Sequence, residues 1–356
     1  MRTVIIAEAG VNHNGSLELA LRLIEAAAHA GADVVKFQTF IADKVISRFA
    51  PKAAYQIQQA ADPQETQLEM VRRLELDLAA HRQMFSYCRQ KNIEFMSTPD
   101  DPDSLRLLVG LGVSRLKISS GETTNAPFLL KIAQTGLPVI MSTGMATLGE
   151  IETALGVLAF GYSHQDGRPS LDNFKRALGD PKNQRILQER VTLLHCTTEY
   201  PAPFEDVNLR AMHTLAAAFG LPVGYSDHTL GIAVPLAAVA CGATVIEKHF
   251  TLDKTLPGPD HQASLEPEEL KEMIRCIRQV EAALGSPRKF PARSELKNLD
   301  IVRRSLVAAQ RIRQGERFSE DNLTSKRPGT GVSPLHYWDW LGREANQDFE
   351  EDEVIS

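Results

Sequence analysis

No stretch of this chain approaches the roughly 18 consecutive apolar residues that a membrane-crossing helix needs. Its amino terminus runs directly into TVIIAEAG, an apolar strand-like segment, without the charged and apolar regions of a secretory signal. A cytoplasmic location is therefore expected. Cysteine is scarce, and Cys88, Cys196, Cys241 and Cys276 have neither metal nor redox spacing, so they read as free thiols. Positive charge is not in excess: the net charge of −6 argues weakly against a nucleic-acid surface and favours solubility. Neither a nucleic-acid nor a membrane partner is expected. The 43% hydrophobic and 24% charged residues are ordinary for a soluble globular protein. At 356 residues the chain exceeds a simple barrel of roughly 250, leaving room for a second, smaller module.

What the chain does have is eight short runs rich in β-branched and other apolar residues, nearly every one ending in chemically capable side chains. In order they end at Glu8, at Lys36 and Gln38, at Ser97 and Thr98, and at Lys117 with Ser119, Ser120 and Glu122. Then come Ser142 and Thr143, Thr197 and Thr198, Ser226 with Asp227 and His228, and Lys248 with His249. A parallel strand buried on both faces reads as a near-continuous apolar run. Eight of them separated by helical stretches predict an α/β fold of the (β/α)₈ TIM-barrel type, whose active site collects at the carboxyl ends of its strands. The placement of the polar residues predicts an enzyme.

The stretches between runs carry helix punctuation. Ser16 precedes an amphipathic segment that Gly31 stops, Thr147 and Glu150 have capping-box spacing, and Pro267 opens a helix that closes at Gly285. The long connection over residues 40–92 is expected to hold one extra helix around Gln64 to Leu76, and a second, polar insertion covers residues 161–185. Residues 1–285 are thus expected to form the barrel and the basic, proline-containing residues 286–299 a linker. Residues 300–356, with short strand-like runs and glycine turns, are expected to form a small β-rich domain with little core of its own.

His228 in YSDHTLG and His249 in EKHFTL lie at the ends of consecutive predicted strands. Two neutral imidazoles there can share a divalent metal with several positions left open; equally, each can be a hydrogen-bonding group at a strand end. Lys36 and Lys117 converge on the same mouth with hydroxyls from Ser120, Ser142, Thr143 and Ser226, which suits a phosphate or carboxylate. Alternatively the lysines balance Glu8, Glu122 and Asp227 in an ion network, or one of them forms a Schiff base. Asp260 sits in the stiffened loop LPGPDHQAS, as a held carboxylate or a plain turn former. Cys196 is the only cysteine near the expected site, and no base in its immediate sequence activates it.

The motifs IAEAGVNHNGS, VVKFQTF, LKISSGE, IMSTGMAT, CTTEYPAP, GYSDHTLG, EKHF and PGPDH, in this order, resemble the bacterial sialic acid synthase (NeuB) family over almost the whole chain. The tail resembles that family's antifreeze-like (SAF) domain. The resemblance implies condensation of phosphoenolpyruvate with the open-chain aldehyde of an acylamino-mannose-type sugar, releasing phosphate and a nine-carbon 2-keto acid. It implies a divalent Mn²⁺ or Mg²⁺ on His228 and His249, which are counted with Glu8, Lys117 and Asp260 as the catalytic set. It implies phosphoenolpyruvate on Lys36, Lys117, Ser120, Ser142 and Ser226, with Thr98 as a phosphate contact. The sugar would be positioned by Glu8, Gln38, Tyr200 and Asp260, and Glu122 joins the substrate-binding residues. Arg327 in KRPGTG would reach the partner subunit's site in a homodimer with swapped tail domains.

Two positions depart from the family pattern. Thr198 stands where some members have asparagine, and Asp100 where many have an aromatic or apolar residue. N-acetylneuraminate synthase is the leading expectation. The alternative is an N,N'-diacetyllegionaminate synthase acting on 2,4-diacetamido-2,4,6-trideoxymannose. A Schiff-base lyase would instead be trapped by borohydride at Lys117, and a sugar- or ice-binding protein would release no phosphate.

Overall fold

The eight apolar runs become eight parallel strands: β1 (Val4–Gly10), β2 (Val34–Thr39), β3 (Glu94–Pro99), β4 (Leu116–Ile118), β5 (Val139–Ser142), β6 (Val191–His195), β7 (Val223–Asp227) and β8 (Val245–His249). The computed structural model describes residues 2–52, 65–163 and 167–356. The strands pair in the order β3-β2-β1-β8-β7-β6-β5-β4, with β3 beside β4, which makes a near-closed (β/α)₈ barrel. The chain divides into two compact units, Met1–Gly285 and Ser286–Ser356.

Two hydrophobic layers hold the barrel. Inside it, Ile6, Val34, Met96, Ile140, Leu194 and Val245 pack together, and a larger cluster fills the space between strands and helices. Because side chains alternate faces along a strand, each interior residue fixes which of its neighbours face the barrel axis. Gly224 of β7 belongs to this interior layer: a Cβ there would meet the Leu194 and Val245 side chains at 2.7 and 2.8 Å.

The helices follow their sequence signals. Ser16 caps Leu17–Ala30 by accepting from the Leu19 N–H, and Gly31 ends it at φ 88°. Ala20, Leu23, Ile24 and Ala27 form the buried stripe, and each large side chain in it contributes about 1.5–3 kcal/mol. Thr147 and Glu150 form the expected capping box on Leu148–Tyr162, and Pro267 opens Pro267–Leu284.

The insertions differ from expectation. The extra helix in the long connection is short, Gln67–Arg72, with a four-residue turn at Ala42–Val45 before it; Gln64 lies outside the described residues. The polar insertion carried no expected structure. It forms helices Leu171–Gly179 and Pro181–Arg190, each capped by an acceptor side chain, Ser170 and Asp180.

The second unit pairs β9 (Ser305–Ala308) antiparallel to β10 (Leu323–Lys326). Leu306, Ile312, Phe318, Leu323, Phe349 and Ile355 are all buried in a core of its own, which corrects the expectation of little core there.

Candidate active site

Glu8, Lys36, Thr98, Ser142, Cys196 and Glu247 each follow an interior residue of the barrel by two positions, and Gln38, Asp100, Thr198 and His249 follow by four. Strand alternation turns the seven that lie within strands toward the axis at the carboxyl end, and Asp100, Cys196 and Thr198, just past β3 and β6, join them. There, with Lys117, Ser120, Tyr200, Ser226 and His228, they line a cavity of about 250 Å³. Register sets who meets whom. Glu8 stands level with Lys36 on β2 and with His249 on β8, and Ser226 stands level with Glu247.

Four buried charges form the floor. The Lys36 ammonium is 2.9 Å from Glu8 Oε1 and 3.5 Å from Glu247 Oε2, and the Lys117 ammonium is 3.3 Å from Glu247 Oε1. Hydroxyls complete the shells. Lys36 donates to Thr98 Oγ1 at 3.3 Å, Lys117 to Ser142 Oγ at 2.7 Å, and Ser226 Oγ donates to Glu247 Oε1 at 2.8 Å.

The two carboxyls titrate apart. Burial, then the nearby Glu247 charge, push Glu8 up to about 7 against the pull of Lys36. Burial alone would raise Glu247 too, but Lys117 and Lys36 outweigh it and hold it at about 2. Burial pushes Lys117 down, with Glu247 opposing, whereas Glu247 and Glu8 keep Lys36 raised despite its desolvation. Glu247 is thus the fixed anion, and Glu8 is the group that exchanges a proton near neutrality.

Glycines open the remaining room. A Cβ on Gly144 would strike the Ser120 and Thr198 hydroxyls and the Cys196 thiol. The bare backbone there donates its N–H to Ser120 Oγ at 3.0 Å. Gly10, at φ 51°, lies where Glu8, Asp260 and the Gln38 amide converge, within 3.3–3.5 Å of its missing Cβ.

The histidine pair sits above this floor. His228 donates its Nδ1–H to the Thr197 carbonyl at 2.6 Å, which leaves Nε2 as the lone-pair nitrogen. His249 lies 5.5 Å from it, ring centre to ring centre, and Tyr200 stacks on His228 at 4.2 Å. Burial lowers both imidazoles, His228 to about 4 and His249 well below its usual value, so both are neutral. Among the described residues His249 Nδ1, Glu8 Oε2, Glu247 Oε2 and Thr198 Oγ1 are buried without a hydrogen-bond partner. Asp260 is the nearest carboxylate to His249, at 3.8 Å.

A second lobe of about 200 Å³ adjoins the first through Gln38, Asp100, Tyr200 and His249, which line both. Asp260 and Pro259 close one side, and the rest of its wall is apolar. Burial, then Glu122, push Asp100 up to about 7.

The NeuB family model matches residues 23–289 and the SAF domain model residues 303–356. The chain belongs to the NeuB family. It is 53% identical over 354 residues to the N,N'-diacetyllegionaminic acid synthase of Campylobacter jejuni, covering 99% of both chains. It is 48% identical to the Legionella pneumophila enzyme of the same name, over 94% of this chain and 88% of that one. The N-acetylneuraminic acid synthetase of Leptospira borgpetersenii, solved with citrate, superposes with a TM-score of 0.66 at 34% identity, over 84% of this chain and 90% of that one. As a NeuB-family member the chain is an enzyme of the phosphoenolpyruvate-dependent nonulosonic acid synthase class.

The structure gathers Glu8, Lys36, Gln38, Thr98, Lys117, Ser120, Ser142, Thr198, Tyr200, Ser226, His228 and His249 in one cavity, with Asp260 on the second lobe. Glu122 does not line either lobe; its carboxylate accepts from Asn125 Nδ2 at 2.6 Å. Arg327 is an exposed residue of the second unit. The expected balance of the lysines by Glu8, Glu122 and Asp227 holds only for Glu8. Asp227, of the opposite parity on β7, faces away from the axis and pairs with Lys248 at 2.5 Å, both fully buried. The missed residue is Glu247. Its signal was alternation: it precedes His249 by two on the same strand.

Removing the shared anion tests this arrangement. In Glu247→Gln the Ser226 bond survives but both lysines lose their fixed partner. kcat is expected to fall by about 10²–10³. With the neighbouring charge gone Glu8 titrates lower, so the alkaline limb of the residual pH–rate profile, where Glu8 loses the proton it carries, moves to lower pH. An unmoved limb in a folded, slow variant would contradict the coupling of Glu8 to Glu247.

Proposed function

We propose that this enzyme condenses phosphoenolpyruvate with open-chain 2,4-diacetamido-2,4,6-trideoxymannose to give N,N'-diacetyllegionaminate and phosphate. The observation that carries this reading is full-length identity of 53% and 48% to two synthases of that product. It replaces N-acetylmannosamine, the leading sequence expectation. The second lobe supports an unphosphorylated sugar. No lysine or arginine lines it among the described residues, so a sugar phosphate would find no counter-charge there.

The residues divide the work as follows. Lys36, Lys117, Ser120, Ser142 and Thr98 hold the anionic groups of phosphoenolpyruvate. The sugar aldehyde lies by His228, His249 and Asp260, with Gln38 and Tyr200 alongside. The π pair of phosphoenolpyruvate forms the new bond from C3 to the aldehyde carbon, and the aldehyde oxygen becomes a hydroxyl by taking the proton that Glu8 holds once phosphoenolpyruvate is bound. Positive charge develops at C2, where Glu247 is a preorganised anion and loses nothing to solvent reorganisation. Water adds to C2 and gives its proton to Glu8, whose carboxyl titrates near neutrality. The hemiketal phosphate then collapses to the ketone with C–O cleavage, and the lysines receive the leaving phosphate.

The histidine pair fits a divalent cation such as Mn²⁺ or Mg²⁺. His228 is oriented by the Thr197 carbonyl, His249 keeps an orphaned buried nitrogen, and both are neutral. No cluster of three ligating side chains is preformed among the described residues, so such an ion would be held by the two imidazoles with Asp260 nearby and open positions for substrate. Bound there, it would polarise the aldehyde oxygen as a Lewis acid.

Phosphate release should be at least about tenfold faster in kcat/KM, about 1.4 kcal/mol, with the diacetamido sugar than with N-acetylmannosamine or its 6-phosphate. It should stop in EDTA and return with Mn²⁺. A preference for either mannosamine rejects the sugar assignment, and full turnover in metal-stripped enzyme rejects the metal.

Arg327 would complete the partner's site in a swapped homodimer. Phe290 and Ile301, 69% and 66% exposed at the start of the second unit, are apolar surface that a partner would cover. Mixed subunits carrying Arg327→Ala and Lys117→Ala, each inactive alone, should regain activity, since one barrel then meets one intact arginine. Confirmed subunit exchange without rescue would place the arginine's action elsewhere.

A further inference from the structure

The second lobe joins two things the reaction itself does not require: an apolar wall and one carboxylate. Val45, Ile46, Met70, Val71 and Leu74, all from the long connection between β2 and β3, form the wall, and Met70 is buried. Asp100 stands at the junction, lining both lobes. Its backbone is anchored by donation to the Thr39 carbonyl at 3.1 Å, and the next residue, Asp101, ties the β2–β3 connection down by accepting from the Ile41 N–H at 2.9 Å. The backbone of Asp100 is therefore held at the junction of the two lobes, with its side chain lining both.

The polar lobe takes phosphoenolpyruvate on its lysines, so the reacting end of the sugar faces that lobe and its tail runs past Gln38, Asp100 and Tyr200 into the other. A tail of bare hydroxyls would lie against five apolar side chains that cannot answer them, which costs the unmade hydrogen bonds. A tail that carries an N-acyl group and a terminal methyl offers instead two apolar ends and one amide.

We infer that the second lobe is the specificity pocket for the sugar's distal end, with Asp100 bonding the amide of a 4-acylamino group and Val45, Ile46, Met70, Val71 and Leu74 receiving its acyl methyl and the terminal methyl. This rests on the sugar class proposed above and names the residues that select it. An amide suits Asp100 in either state, because the carboxylate accepts from the amide N–H and the carboxylic acid donates to the amide carbonyl. Asp100 is a specificity residue, one that takes no part in the bond changes.

The test compares kcat/KM for the diacetamido trideoxy sugar with that for N-acetylmannosamine, in the full-length enzyme with phosphoenolpyruvate, and its variants Asp100→Leu and Val71→Asn. The wild-type ratio is measured first: a ratio favouring N-acetylmannosamine would sink the substrate reading, and this pocket assignment with it. Given a wild-type preference for the diacetamido sugar, each variant should lower the ratio by about fivefold or more, with the KM for phosphoenolpyruvate held. A smaller change in both would overturn the pocket assignment and leave the substrate reading standing. An independent arm needs no variant. Wild-type enzyme given the analogue with a 4-hydroxyl in place of the 4-acetamido group should lose at least about fivefold in kcat/KM, and an undiminished rate would overturn the assignment even where a variant fails to fold.

Discussion

Everything at the mouth of this barrel depends on Glu247 being shared by two buried lysines. Two ammonium groups this close and this deeply buried would drive one to lose its proton. Glu247 lies between them, 3.3 Å from one and 3.5 Å from the other, and its own charge is held in place by the pair and by the Ser226 hydroxyl. Losing one member of such a cluster leaves an uncompensated buried charge, a cost of about 3–5 kcal/mol. The same arrangement makes Glu8 different from Glu247. With Lys36 divided between two carboxylates, Glu8 is incompletely compensated, and burial lifts it to about 7. One carboxyl is thereby a permanent anion and the other a proton carrier, from identical chemistry in adjacent positions.

The barrel is what makes this affordable. Interior layers of Ile6, Val34, Met96, Ile140, Leu194 and Val245 close the floor beneath the charges, so every polar residue two positions on is directed upward by a rigid strand. The loops beyond then add what the chemistry lacks. Gly144 leaves room for the Ser120, Thr198 and Cys196 side chains, the Tyr200 ring packs on His228, and the long connection after β2 supplies an apolar wall.

Much of this was legible before any coordinates. Eight apolar runs gave eight strands because parallel strands covered on both faces have no polar face to confuse the pattern, and the strand-end positions named most of the cavity. The helix caps at Ser16 and Thr147 were equally readable, since each is a local contact. What was not read was partnership. The pairing of Asp227 with Lys248 rather than with Lys36 or Lys117 follows from strand parity, which sets that pair on the helix-facing side. Glu247 was passed over for the more eye-catching Lys248 and His249 beside it, though its parity with His249 put it inside. Glu122 sits on a short turn after β4, where no alternation applies, and its carboxylate turns to Asn125. The polar insertion became two helices because Ser170 and Asp180 cap them, a signal masked by the glycines and charges around it. The apolar lobe depends on Val45, Ile46, Met70, Val71 and Leu74 lining one pocket with Asp100, a tertiary fact that no local pattern contains.

If Glu8 is the proton carrier and Glu247 the fixed anion, then phosphoenolpyruvate, a further anion placed against Glu8, must raise Glu8 still more and draw a proton onto it. Calorimetric titration of the enzyme with phosphoenolpyruvate near pH 7.5, in buffers of differing ionisation enthalpy, counts that proton directly. The account expects net uptake of a large fraction of one proton, abolished in Glu8→Gln and retained in Asp260→Asn. Binding without proton uptake, or uptake that persists in Glu8→Gln, would contradict it.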